Sequence, residues 1–314
     1  TEVFAAIKNS NPEIYPYGAT GPNSKASYTQ FAFLNMVDAV GAYNSGVLLD
    51  TKSTKLVNMF ESKEYHDFLT QVRKWFESGY VLPDAATNQT PITTLVDAGT
   101  TAGYPMANTP IIVSSTTKAW GGVVILPTTE KFRASSMING GWAVPITSKE
   151  PEAAIKFMNY LYTHDDLTNL IQWGIEGKHI EVVDKENGVI TFADGLDVTT
   201  SPYYNSLGLW GNQINAYVWD PVGSKKFQQA FFDECSLNPT KAVGFNYYSP
   251  AELQNISIVV DEVLNQYMPT LETGSAKNLE AVYQEFIAKL KAAGIDKLIE
   301  DKQAKFDAWL NSKK

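Results

Sequence analysis

The chain reads as a helix-rich α/β protein, and three observations carry that reading. Long segments repeat apolar residues every three or four positions, the period of a helix packed along one side. Short apolar runs alternate with them, one pair flanking an Asn187-Gly188 turn signal. At 314 residues, 44% hydrophobic and 19% charged, the chain has the composition of a globular protein able to bury a substantial core.

Residues 1–22 predict a short helix followed by turns at Asn11-Pro12 and Tyr17-Gly18. Tyr28 to Tyr43, with Phe31, Phe33, Leu34, Met36 and Val37, is apolar enough for a buried helix, broken by Gly41 and Gly46. From Ser62 or Glu64 a clear amphipathic helix follows, its face marked by Tyr65, Phe68, Leu69, Val72, Trp75 and Phe76, and Gly79 stops it. Trp75 on such a stripe is expected to be core. A short helix near Ile92–Ala98 precedes a strand at GVVILP, Gly122 to Pro127.

Met137 to Val183 is the most structured stretch to the eye. Ile138 and Ala143–Ile146 predict a strand around Gly140, Gly141 and Trp142. Ser148 and Pro151 open a helix with Ala154, Phe157, Met158 and Leu161 on one face. Thr163–Asp166 caps a second helix that ends at Trp173, with Gly174 as its stop. Glu181 to Phe192 then predicts a hairpin. GSKKFQQAFFDEC, starting at Gly223, predicts a helix with Phe227, Ala230 and Phe231 on one side. Three packing helices finish the chain. The first starts at a capping box, Ser249-Pro250-Ala251-Glu252, and Pro269 should end or kink it. The second carries Leu279, Val282, Tyr283, Phe286, Ile287 and Leu290 and ends at Gly294. The last carries Leu298, Lys302, Phe306, Trp309 and Leu310.

Charge and motifs exclude several functions. A net charge of −9 with dispersed Lys and Arg argues against a nucleic-acid partner. A single cysteine, Cys235, rules out an intrachain disulfide and a cysteine metal site. His66, His164 and His179 lie in separate elements without ligand spacing, and read as surface or capping residues. No phosphate-binding glycine loop, dinucleotide fingerprint or nucleophile elbow is present. No apolar run is long enough to cross a bilayer.

What remains is an inventory of rings and amides: 7 Trp, 16 Tyr and 15 Phe in an acidic chain. The C–H face of a sugar stacks on such rings, and its hydroxyls need planar donors and acceptors. Trp142, Trp173, Trp210, Asn212, Gln213, Tyr217 and Trp219 have this character, with Trp120, Glu176 and Asp220 beside them. Tyr217 and Trp219 sit on alternate residues of a possible strand, so one face could equally be core. A carbohydrate-active hydrolase would need two carboxylates across a cleft, for which Glu176, Asp220, Asp233 and Glu234 are the candidates.

The run GGWAVPITSKEPEAAIKFMNYLYT, then WGIEGKHIEVVD, WGNQINAYVWD and FIAKLKAAGIDKLIEDKQAKFDAWL, resembles the extracellular solute-binding proteins of bacterial ABC importers, in the carbohydrate-associated, long lipoprotein-type branch. The resemblance covers most of the chain from about Met137 onward. It implies a periplasmic-binding-protein-like two-lobe α/β fold of the class II type. Residues 1–118 and 180–314 would belong to lobe two, and 119–179 would be the return segment of lobe one. It implies capture of a carbohydrate, an oligosaccharide, in an inter-lobe cleft and delivery to ABC permease subunits, by a monomer needing no cofactor or metal. Trp120, Trp142, Trp173 and Glu176 would face Trp210, Asn212, Gln213, Tyr217, Trp219 and Asp220 across that cleft. In that family a stretch like AAIKNSNPEIYPYG, Ala5 to Gly18, occurs well inside the chain. The expectation is therefore a piece of a longer, lipid-anchored protein at the outer face of the membrane, with lobe one incomplete here. A hydrolase, and a peptide-binding, sensor or adhesin module, are the alternatives.

Overall fold

The computed structural model describes residues 1–19, 30–35, 37–106, 113–114, 142–197, 200–203, 211–212, 214–219 and 223–313. The chain divides into two compact units. One contains Thr1–Met106 and Asn238–Lys314, the other Ile138–Leu237. The strand expected at 122–127 lies outside the described residues, as does the Gly140-Gly141 pair.

In the first unit the sequence period translates directly into packing. Helix α1 spans Glu2–Ser10, α2 Gln30–Asn35, α3 Lys63–Glu77 and α4 Ile92–Asp97. Ser62 caps α3, its Oγ accepting from the Tyr65 N–H at 3.1 Å, so one orphan donor of the first turn is satisfied. Tyr65, Phe68, Leu69 and Val72 are buried one turn apart. The last three helices complete the same core. They are α8 Gln254–Glu272, α9 Leu279–Ala293 and α10 Ile295–Ser312. Val260, Leu264, Tyr283, Phe286, Leu290, Ile295 and Leu298 meet the α3 face there. Phe60 stands edge-on between Tyr65 and Phe286, with ring centroids 5.3 and 5.4 Å away. Each such ring removed from water stabilises the fold by about 1.5–3 kcal/mol. Gly294 turns α9 into α10 with a left-handed backbone, φ 95° and ψ 27°, as its position predicts. Trp75 is half-buried against Phe4 and Tyr17.

The second unit holds α5 Pro151–Thr163, α6 Asp165–Trp173, the antiparallel strands β1 Ile180–Asp184 and β2 Val189–Phe192, and α7 Lys225–Leu237. The expected hairpin forms, with a wider turn than Asn-Gly alone. The Asp184 carboxylate accepts from the N–H groups of Glu186 and Asn187, both at 3.0 Å, and Gly188 closes the loop at φ 65°. The Asn187 amide also donates to Asp184 Oδ2 at 2.7 Å, and this bond, with the backbone ones, lowers the Asp184 pKa. Val218 joins the hairpin beside Val189, its N–H donating to Gly188 O and its carbonyl accepting from Ile190 N–H, both at 2.9 Å.

Several expectations are corrected. Among the described residues, the helix foreseen over Tyr28 to Tyr43 is present as α2 alone, because Asp38 pairs with Leu48 as an isolated bridge and Val40 and Gly41 turn the chain at φ 46° and 100°. Trp142 to Pro145 lie in no strand, and no described segment offers them a ladder partner. On α5, Leu161 is buried but Phe157 is exposed, so the foreseen face is only partly covered. On α7 the inward side chain is Gln228, which donates to Gly223 O at 2.7 Å, while Phe227 is exposed. The capping box before α8 does not form; a 3₁₀ turn, Ala251–Leu253, leads into it without a side-chain cap bond. Nor does α8 stop at Pro269. It runs on to Glu272, whose turn is anchored by buried Met268 and Leu271. Residues 180–197 and 223–237 fall in the second unit together with 142–179. The hydrophobic cluster of Trp173, Ile180 and Ile190 straddles position 179/180, which explains the grouping.

Candidate functional site

Within the second unit, the candidate residues collect around the elbow between α5 and α6 and the turn that follows. Helix α6 ends at Trp173, and Gly174 takes φ 83° and ψ −146°, a backbone open in practice to glycine alone. A Cβ there would lie 2.4 Å from His179 Nδ1 and 3.0 Å from the Tyr203 ring. That crowding is the reason the next turn is so tight. Ile175 N–H donates to His179 Nδ1 at 2.9 Å, and the Gly177 N–H donates to Ile180 O at 2.8 Å. The Tyr203 ring stacks over the imidazole at 5.5 Å, and its hydroxyl donates to Ile171 O. His179 is thus buried, the staple of this turn. The sequence reading allowed it a capping role or a surface one, and the structure chooses the cap. Held by this staple, Glu176 projects as an exposed carboxylate.

The aromatic candidates divide by exposure. Trp173 is 6% exposed and packs edge-on against Trp219, centroids 5.1 Å apart at 74°. Trp219 also lies 4.7 Å from the Phe192 ring. Tyr217 and Trp219 are both half-buried against Trp173, Ile180 and Ile190. So the structure brings Trp173, Tyr217 and Trp219 into one cluster, with rims of the last two reaching solvent. Trp142, just ahead of α5, is 37% exposed.

The segment carrying Tyr217 and Trp219 is laid across the elbow by polar contacts. Gly211, at φ 70°, crosses so close to α5 that a Cβ would meet Leu161 O and Thr168 Oγ1 at 2.5 Å. The Asn212 N–H donates to Leu161 O at 2.9 Å, and its amide Nδ2 to Asp165 Oδ1 at 3.2 Å. Asn169 Oδ1 accepts from the Tyr217 N–H at 2.7 Å. Asn169 was not singled out from sequence, because a carboxamide inside a helix gives no signal of the distant backbone it will bind. Trp120, Trp210, Gln213 and Asp220 lie outside the described residues.

Of the carboxylates considered for hydrolysis, Glu176, Asp233 and Glu234 are exposed, and Asp233 accepts from Gln229 at 2.9 Å. Among the described residues no group of three or more His, Cys, Asp or Glu side chains could hold a metal, and no helix is long and apolar enough to cross a membrane.

Residues 243–311 match a domain of unknown function, DUF3502. Over 320 aligned residues the chain is 22% identical to a carbohydrate ABC transporter substrate-binding protein of Streptococcus pneumoniae serotype 4, covering 99% of this chain and 62% of that one. The chain thus spans under two thirds of that relative's length. Among solved structures it is similar to the N-glycan transport solute binding protein NgtS of Streptococcus pneumoniae in complex with Man1GlcNAc. The TM-score is 0.74 at 21% identity, over 99% of this chain and 67% of that one. An HMO-binding, ABC-transporter-associated solute binding protein of Bifidobacterium longum infantis gives a TM-score of 0.56 at 15% identity, over 98% and 69% of the two chains. The fold is accordingly the α/β fold of the ABC-transporter solute-binding proteins, as the sequence resemblance implied.

Proposed function

We propose that this chain belongs to the solute-capturing component of an ABC importer that takes up a carbohydrate, an oligosaccharide, outside the cell and delivers it to a membrane permease. The observation that carries the proposal is the likeness to NgtS, solved with a glycan, which runs through 99% of this chain. The second unit supports it chemically. Trp142 offers a ring at the surface, and the exposed rims of Tyr217 and Trp219 rest on a rigid aromatic base that includes Trp173. A sugar's C–H face stacks on such rings, and Glu176 supplies acceptors for hydroxyls. Trp120, Trp210, Gln213 and Asp220 belong to the same proposed ligand set, as does Asn212, which donates to Leu161 O and Asp165 Oδ1.

Capture of this kind involves no bond making. The ligand is bound and handed on unchanged, and release follows when the permease favours a state of lower affinity. Anchoring at the outer membrane face and action as a monomer are part of the same proposal. The test is a thermal-shift screen of oligosaccharides, headed by mannose–N-acetylglucosamine glycans, against a matched set of peptides. A saturable rise in Tm with a sugar that chromatography recovers intact supports capture. Cleavage of that sugar, abolished by Glu176→Gln, supports the hydrolase instead, and a response to peptides alone defeats both.

A further inference from the structure

Lys302 occupies the middle of the apolar stripe Leu298, Lys302, Phe306 on α10 and is 0% exposed. Among the described residues no carboxylate oxygen lies at hydrogen-bond distance from its ammonium, and Asp38 acts on it only at longer range. Instead Nζ donates to Ala39 O at 2.7 Å, Gly46 O at 2.8 Å, Ala42 O at 3.0 Å and Ser45 Oγ at 3.2 Å. An ammonium has three N–H groups and no acceptor, so four uncharged oxygens converge on three protons. That is how a dehydrated monovalent cation is held, with carbonyl dipoles replacing its water.

The cage is built by contacts that do not involve the lysine. Val40, Gly41 and Gly46 bend the backbone inward at φ 46°, 100° and 93°. A valine in the left-handed region persists only where its surroundings fix it. Asp38 does so at one end, with Oδ1 accepting from Val40 N–H at 2.9 Å and Oδ2 accepting from the Thr240 hydroxyl. At the other, the Asn44 amide donates to Ser257 Oγ at 3.1 Å and Asp261 Oδ1 at 2.7 Å on α8. The Tyr247 ring, 5.3 Å from Nζ, closes the cage with a π face that also attracts a cation.

We infer that residues 39–46 form a monovalent-cation site whose resident ion is the protein's own Lys302 ammonium, and that the site accepts a free primary alkylammonium ion once that side chain is shortened. The matched region 243–311 then has a definite role. It inserts a tethered cation into a loop from the N-terminal part of the chain and locks the two together.

Chemical rescue tests this. Lys302→Ala removes three carbons and the nitrogen, the atoms of n-propylammonium. The variant is expected to lose roughly 10 °C in Tm. Propylammonium should restore most of that loss saturably, while isosteric n-propanol restores little and neither moves the wild type. Equal rescue by both, or by neither, overturns the inference, since a merely apolar shaft responds to both. Should Lys302→Ala fail to accumulate folded, refolding from urea in propylammonium against propanol poses the same question. Lys302→Met fills the shaft but leaves the cage empty. It should be destabilised and indifferent to propylammonium, and a Met variant as stable as the wild type also overturns the inference.

Discussion

Glu272 gives the sharpest prediction about the fold. Its carboxylate lies at the end of α8, 4% exposed. Oε2 accepts from the Gln30 N–H at 2.7 Å, and Oε1 accepts from the Tyr65 hydroxyl at 3.1 Å. It therefore ties the start of α2 to α3 and α8. Burial pushes its pKa up from 4.5 to about 8, against the lowering effect of the Gln30, Tyr65 and Phe31 bonds. Burial, with the Glu272 charge next, raises the Tyr17 and Tyr65 hydroxyls in turn. Between pH 4.5 and about 8 the folded state holds a proton that the unfolded state has lost. Stability from this group is therefore complete below pH 4.5 and falls as pH rises through about 8. At about 1.4 kcal/mol per pH unit, the loss over that interval is on the order of 5 kcal/mol. Glu272→Gln cannot titrate. It is also less stable than the wild type at low pH, by about 1–3 kcal/mol, because an amide N–H now faces a donor. Urea unfolding of both proteins from pH 4.5 to 8.5 isolates the effect, since other groups cancel in the difference. The wild type should lose its advantage steadily as pH rises. Parallel profiles, with a constant difference at every pH, would refute the reasoning.

Phe286→Ala, at a wholly buried position between Phe60 and Tyr267, should lower the unfolding free energy by about 3–5 kcal/mol, read from urea midpoints at an unchanged m-value. Gly174→Ala meets both a positive φ and the His179 ring; a loss on the order of 1–3 kcal/mol is expected from backbone strain alone. Faster exchange of the Ile175 amide should accompany it, and unchanged exchange there would contradict the staple. Asn169→Ala removes the acceptor of the Tyr217 N–H; it should weaken sugar binding by misplacing Tyr217 and Trp219, with a stability loss of about 1–3 kcal/mol. Trp142→Ala should weaken sugar binding about tenfold or more, the loss of a stacking ring, with a smaller effect on Tm than Phe286→Ala. A large Tm loss would make it a packing residue.

The parts of the fold visible in sequence are those fixed by local rules. Helices α3 and α9 were legible because a 3.6-residue apolar period runs up to a glycine stop, with Ser62 opening α3, and α10 was legible from its period alone. The hairpin was legible from its turn residues. What could not be read depends on partners far along the chain. Glu272 and Gln30 are 242 residues apart, and nothing in either neighbourhood announces their bond. Lys302 was marked as part of an apolar stripe, but the oxygens that make it tolerable come from 39–46. Helix α2 was overextended because apolar content cannot reveal that Val40 turns left-handed. At the site, the aromatic residues were legible as a class. Their division into base and rim was not, because period-2 alternation does not say which neighbour covers Trp173.

The most direct test of carbohydrate capture is equilibrium dialysis of the protein against a labelled mannose–N-acetylglucosamine oligosaccharide, followed by chromatography of the bound fraction. Saturable one-site retention is predicted, lost in Trp142→Ala and with the sugar recovered at its original length. Absence of retention across the oligosaccharide panel, or recovery of shortened sugar, would contradict it.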